Sequence, residues 1–152
     1  ALRLLQQRYD LSRDPPYQVN VRNFRPYALL ASLKHVLGER ARAAEMARAV
    51  VSWVDADQAF GQVYKLRTRA ETMLLLDQPE QAMADLRLAY LRDRDFTEWW
   101  YTLERNPRFR FLHAQPEFRA LRDAALKFAS EEFSALQRMR KAGQVPARGG
   151  SA

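Results

Sequence analysis

The chain has 152 residues, 47% of them apolar, enough for one domain that buries roughly 70% of its unfolded surface. It holds no cysteine, which excludes disulfides, thiolate catalysis and cysteine-ligated zinc, and it lacks an apolar run of about 18 residues, which excludes a transmembrane helix. Its 25 basic and 18 acidic residues leave a net charge of +7; that balance is compatible with nucleic acid or anionic lipid, but the two signs are mixed along the sequence, as on a solvated, arginine-rich surface.

Only five glycines and an abundance of Ala, Leu, Arg and Glu favour helix over strand. Leu2, Leu4, Leu5 and Tyr9 suggest a short helix. From Asp10 to Arg25 helical periodicity fails: Asp14-Pro15-Pro16-Tyr17 cannot be helical, and Gln18-Val19-Asn20-Val21 alternates like an extended segment. Residues 1–25 are therefore expected to be a short helix and an irregular proline-containing loop. The sequence begins without methionine, as a piece of a longer protein would, and its compartment, cytoplasmic or periplasmic, stays open.

Residues 26–92 are expected to hold two helix pairs. Pro26 suits a first helical turn; Tyr27, Leu30, Ala31, Leu33 and Leu37 give the helix an apolar face, and Gly38 stops it. A second helix carries Ala43, Met46, Ala47, Val50 and Val54. Asp55-Ala56-Asp57 offers caps for a third, with Phe60, Val63, Leu66, Ala70, Met73 and Leu74. After Asp77-Gln78, Pro79 opens a fourth, running from Glu80 to about Arg92. Asp95 or Thr97 could cap a helix holding Trp99, Trp100 and Leu103.

Residues 93–142 are aromatic-rich. Asn106-Pro107-Arg108-Phe109-Arg110-Phe111-Leu112 is echoed nine residues later by Gln115-Pro116-Glu117-Phe118-Arg119-Ala120-Leu121. Each proline should stand at a helix start, with the Phe and Leu three positions apart facing inward. The second copy continues into the longest helix, in which Phe118, Leu121, Ala125, Phe128, Ala135 and Met139 form one stripe. Gly143 ends it, and residues 143–152 are expected to be a disordered tail, since Pro146 to Ala152 offer no large apolar side chain with which to fold.

The two helix pairs correspond at a constant offset. Tyr27 and Leu66, Ala31 and Ala70, Leu37 and Leu76, Ala43 and Ala82, Ala47 and Leu86, and Val50 and Ala89 each lie 39 residues apart. Periodic helix–turn–helix units leave a face that only a neighbour can bury, which is the mark of a solenoid. Leu76 to Ala89 resembles the second half of a tetratricopeptide repeat, and Leu37-Gly38-Glu39-Arg40-Ala41-Arg42-Ala43 keeps that motif's leucine-glycine. The family period is about 34 residues, and Arg94 stands where its closing proline would fall; a HEAT-like or irregular α-α array is the other reading. Trp99-Trp100, Leu103, Asn106-Pro107, Leu112 and Pro116 to Leu121 resemble the close of repeat regions in bacterial signalling proteins, such as CadC-like regulators, adenylate cyclases and kinases. The resemblance implies an all-α, tetratricopeptide-like α-α superhelix with a long C-terminal capping helix.

Catalytic motifs are missing from the sequence. His35 and His113 are the only imidazoles, and neither has a second histidine at i+3 or i+4 to share a metal. There is no glycine-rich phosphate loop, GxSxG or HExxH, and Glu131-Glu132 reads as surface charge. No catalytic, cofactor or metal residue is assigned, and the segment is expected not to be an enzyme. A repeat array offers a groove lined by the first helix of each pair. Lys34, His35, Arg67, Arg69 and Glu71 fall off the apolar stripes and are the candidates to line it, which implies an acidic protein or peptide partner. The alternatives are a basic nucleic-acid-binding module, with Arg138, Arg140, Lys141 and Arg148 as its best carriers, and a helical domain completing an enzyme site in a missing neighbour. A hydrophobic face at Leu2, Leu4 and Leu5 would be covered by a further repeat or by a second copy of the chain.

Overall fold

Two asparagines start the helical array. In the computed structural model, which describes residues 7–9, 11, 14–56, 62–92 and 101–144, the Asn23 Oδ1 accepts the Asn20 N–H at 2.7 Å while Asn23 Nδ2 donates to the Gln18 carbonyl at 3.0 Å. This turn aims the chain into α1 (Phe24–Val36), which is followed by α2 (Arg40–Ala56), α3 (Gln62–Leu75) and α4 (Pro79–Arg87). The last of these runs on as a π-helical turn, Leu88–Arg92, so the α-helix expected to reach about Arg92 changes its winding at Leu88. The winding keeps Ala89 and Tyr90 buried. Beyond Asp93 the chain forms a second compact unit. It contains a π-helical turn (Tyr101–Arg105), a 3₁₀ helix (Pro107–Ala114) and α5 (Pro116–Lys141). Among the described residues every regular element is helical and none is a strand. The fold class is all-α.

In the first unit α1 packs on α2 and α3 on α4, while α3 also lies against α1 and α2. Alanines allow this: Ala31, Ala43, Ala47, Ala70, Ala82 and Ala89 are fully buried, and a methyl side chain is the smallest that still suits a helix interior. The 39-residue offset holds for burial at Ala31/Ala70, Ala43/Ala82, Ala47/Leu86 and Val50/Ala89. It also holds for the turns. Gly38 has φ +85° and Asp77 has φ +58°. Glu39 N–H donates to the Lys34 carbonyl at 3.0 Å, and Gln78 N–H to the Met73 carbonyl at 3.0 Å. Both pairs are helix ends of the same type, closed by a long bond back over a left-handed residue.

The segment from Asp14 to Asn23 is irregular, as expected, but it is stitched to the core. Tyr17 and Val19 pack against the cluster formed by Leu11, Phe24, Tyr27, Leu30, Met46 and Val50. The Tyr17 ring meets Tyr27 edge-on at 5.9 Å, and Asp14 pairs with Arg42 of α2. Phe24 stacks on Trp53 at 5.0 Å, and the Lys65 ammonium lies 5.5 Å from that indole. Of the short helix expected near the beginning, Gln7 and Arg8 are helical; Leu2, Leu4 and Leu5 lie outside the described residues.

Three expectations need correcting. Leu33 and Leu37, expected on the inner face of α1, are 38% and 60% exposed. The inner face runs Tyr27, Leu30, Ala31 and then Lys34, whose ammonium binds Glu39; Leu33 falls on the other side of the helix. Asp55 does not cap α3: it sits inside α2 and binds Arg69 instead. The stripe on α5 is buried only at Phe118, Leu121 and Ala125; Phe128 and Ala135 are half-buried and Met139 is exposed. Asp57, Phe60, Asp95, Thr97, Trp99, Trp100 and residues 145–152 lie outside the described residues.

The second unit is organised by its two prolines. Pro107 and Pro116 occupy the first turns of the 3₁₀ helix and α5, and Asn106 caps the former by accepting the Arg108 N–H at 3.1 Å. Phe109, Leu112, Phe118 and Leu121 all point inward, each at most 2% exposed. The echoed Phe and Leu three apart thus build one core from two helices.

A candidate peptide cleft on the first unit

The five candidate groove residues do not form one surface. Lys34 Nζ binds both Glu39 carboxylate oxygens at 2.8 Å, tying the end of α1 to the start of α2. Arg67 is only 6% exposed and places its guanidinium 4.9 Å from the Tyr64 ring centroid, on which Arg25 also lies at 5.6 Å. Glu71 is half-buried. Arg69 turns the opposite way, because two residues along a helix rotate a side chain by about 200°. Its Nε donates to Asp55 at 2.8 Å and its Nη1 to both oxygens of Asp85 at 2.7 and 2.8 Å.

Arg69 and Asp85 form a half-buried ion pair in which opposed effects meet. Burial pushes the Asp85 carboxyl up, and the hydrogen bond and charge of Arg69 only partly offset that. For Arg69, burial lowers the pKa but the bond and charge from Asp85, with help from Asp55, outweigh it and the net shift is upward. This is a structural pin between α2, α3 and α4, and its Nε and Nη1 donors are already engaged.

His35 does reach an open site. A cleft of about 960 Å³ runs between α2 and the α3–α4 turn, with His35 at one end. Its apolar lining is made by Ala44, Val51, Leu75 and Leu76; Arg40, Arg48 and Asp55 of α2 and Asp77 and Gln78 of the turn supply its polar groups. Arg40 and Arg48 are exposed and make no ion pair or hydrogen bond with another described residue. Eight residues apart on one helix, they stand about 12 Å from each other along the axis. A second cleft of about 600 Å³ lies across α2, between Trp53 and the Pro15-Pro16-Tyr17-Val19 segment, and shares Arg48, Ser52 and Ala56 with the first. The signal for this face was present in the sequence: Arg40, Ala44, Arg48 and Ser52 recur every four residues, off the buried stripe of Ala43, Met46, Ala47 and Val50.

Two guanidinium groups beside an aliphatic lining can hold carboxylates through charge-assisted bonds while the lining takes a small apolar side chain. Among the described residues no three His, Cys, Asp or Glu side chains group to hold a metal ion, and no helix is long and apolar enough to cross a membrane. No protein-family model, curated protein or solved structure matches the chain.

Proposed function

We propose that the first unit is a protein-interaction module, part of a longer bacterial signalling protein, that binds an acidic peptide segment in the cleft between α2 and the α3–α4 turn. The observation that carries this reading is the pair Arg40 and Arg48, exposed and without an ion pair or hydrogen bond to another described residue, in a cleft with an apolar lining. An extended peptide advances about 3.3 Å per residue, so carboxylates four positions apart match the spacing of the two arginines. The apolar lining favours a peptide over a nucleic-acid backbone, which would leave Ala44, Val51, Leu75 and Leu76 unused. The shared turn geometry at Gly38 and Asp77 supports the resemblance to tetratricopeptide repeats. The groove-lining role first read for Arg67 and Arg69 passes to Arg40 and Arg48, because the former pair is held inside the array.

Selection from a random peptide library displayed on phage tests the reading. Acidic peptides should be enriched, and the double variant Arg40→Glu, Arg48→Glu should lose them while Arg110→Glu in the second unit keeps them. Enrichment of basic or uncharged peptides, or retention by the double variant, would refute it. Steeply salt-dependent binding to DNA that is lost with Arg40 and Arg48 would replace it with the nucleic-acid reading.

A further inference from the structure

The two clefts of the first unit flank one helix. At about 3.6 residues per turn, Arg40, Ala44 and Val51 of α2 point to one side, Glu45, Ala49 and Trp53 to the other, and Arg48 and Ser52 lie between them. Arg48, Ser52 and Ala56 line both clefts. Past Arg48 the divide is low, because Ser52 and Ala56 are short as well as exposed. A chain lying in the first cleft can cross there into the second. Crossing a helix about 10 Å wide takes an extended chain about three or four residues.

The second cleft offers a different chemistry. One wall is Pro15, Pro16 and Tyr17, held to the body of the unit by the Asp14–Arg42 ion pair and by the edge-on contact of Tyr17 with Tyr27. Ala49 and Trp53 of α2 form the other. The single carboxylate lining it, Glu45, is exposed and makes no ion pair or hydrogen bond with another described residue. It repels a second carboxylate, so the acidic residues of a ligand stay on the Arg40 side and an uncharged group enters here. A flat aromatic ring suits this place, because the C–H edges of proline rings and of an indole pack well on a ring face. A proline-rich ligand needs bare aromatic faces instead, and Phe24 and Lys65 already lie over the Trp53 ring at 5.0 and 5.5 Å.

We infer that the acidic peptide carries an aromatic residue about three or four positions from the carboxylate held by Arg48, and that its ring docks between Pro15-Pro16 and Trp53; this rests on the peptide-cleft reading above. The probes are capped synthetic peptides titrated into the full chain by fluorescence anisotropy. The base peptide has two glutamates four positions apart in a glycine-serine background, and two longer ones add a phenylalanine about four residues before or after that pair. At least one of these should bind about tenfold tighter than the base peptide, and alanine or proline in place of the phenylalanine should remove the gain. Ala49 lines the second cleft and not the first, so Ala49→Gln should cancel the gain and leave the affinity of the base peptide unchanged. Pro16→Ser, on the opposite wall, should reduce the gain without altering α2. If the base peptide binds but phenylalanine adds nothing, proline serves as well, or neither variant reduces the gain, this inference is overturned and the cleft reading stands. If no peptide binds, or the phenylalanine peptides bind undiminished to the double variant Arg40→Glu, Arg48→Glu, both are overturned.

Discussion

Gly38 and Asp77 stand 39 residues apart and share one backbone conformation, left-handed, at the end of the first helix of each pair. Glycine adopts it without cost, whereas an aspartate's Cβ meets its own backbone there. Asp77→Gly should therefore stabilise the first unit by about 0.5–1 kcal/mol. Gly38→Ala should destabilise it by about 1 kcal/mol; a Cβ at Gly38 meets nothing within 4 Å, so the cost is that of the backbone alone. Urea denaturation of the two variants beside the parent chain measures both, and shifts of the same sign would contradict the equivalence.

Asp85 is 4% exposed and bound to Arg69. Replacing it by alanine leaves a half-buried guanidinium with Asp55 as its remaining carboxylate. The expected loss is about 2–3 kcal/mol, at the low end for a broken buried pair because Asp55 stays. Asp55→Ala should cost less than Asp85→Ala, since Asp55 is half in water. Equal midpoints for the two variants in thermal unfolding would show that burial does not grade these bonds.

The same carboxylate has a defined effect on pH dependence. Its folded pKa lies above the ordinary value of 3.8, so the folded chain keeps this proton where the unfolded chain has lost it. Its contribution to stability is greatest below the unfolded pKa and falls as pH rises through the interval up to the folded one. Asp85 thus resists acid unfolding. The stability of Asp85→Asn relative to the parent should rise with pH across that interval, as read from urea midpoints at a series of acidic pH values. A relative stability that falls with pH would reverse the assigned sign.

Ala43 and Ala82 occupy corresponding positions, both fully buried. A leucine at either adds three methyl-sized groups where two helices meet, and overpacking of this kind costs about 1–3 kcal/mol. Ala41→Leu, at an exposed position of the same helix, is the control and should change stability by less than about 0.5 kcal/mol.

In the second unit the His113 ring stacks on Phe118 at 5.2 Å, and its buried Nε2 has no hydrogen-bond partner among the described residues. A buried polar atom without a partner costs about 1–3 kcal/mol. His113→Phe keeps the stacking and removes the orphan, so it should raise the unfolding midpoint. Calorimetry that shows a lower midpoint would mean that the imidazole serves a contact the phenyl cannot.

The helix pairs, the alanine crossings and the proline-led helices of the second unit were readable because each follows from local chemistry: apolar spacing, small residues, fixed φ. The destinations of charged side chains were not. Arg67 and Arg69 read as neighbours in the sequence, yet helical rotation sends one onto Tyr64 and the other between Asp55 and Asp85. Leu33 read as core because it extends the apolar run of α1, but the buried side of that helix ends in a lysine held by Glu39. Both errors have one origin. Composition marks which residues could be buried, and only the packing of neighbouring helices decides which side of each helix is covered.

Arg69 has a consequence for how this part of the chain comes apart. Its guanidinium holds one carboxylate from the last turn of the first hairpin and one from the second helix of the other. In a linear array, cooperativity resides in such nearest-neighbour terms, and a hairpin with weak terms frays alone. Here a single side chain spans the joint. Unfolding the first hairpin releases the bond to Asp55 and unfolding the second releases both bonds, so each hairpin is weakened when the other opens.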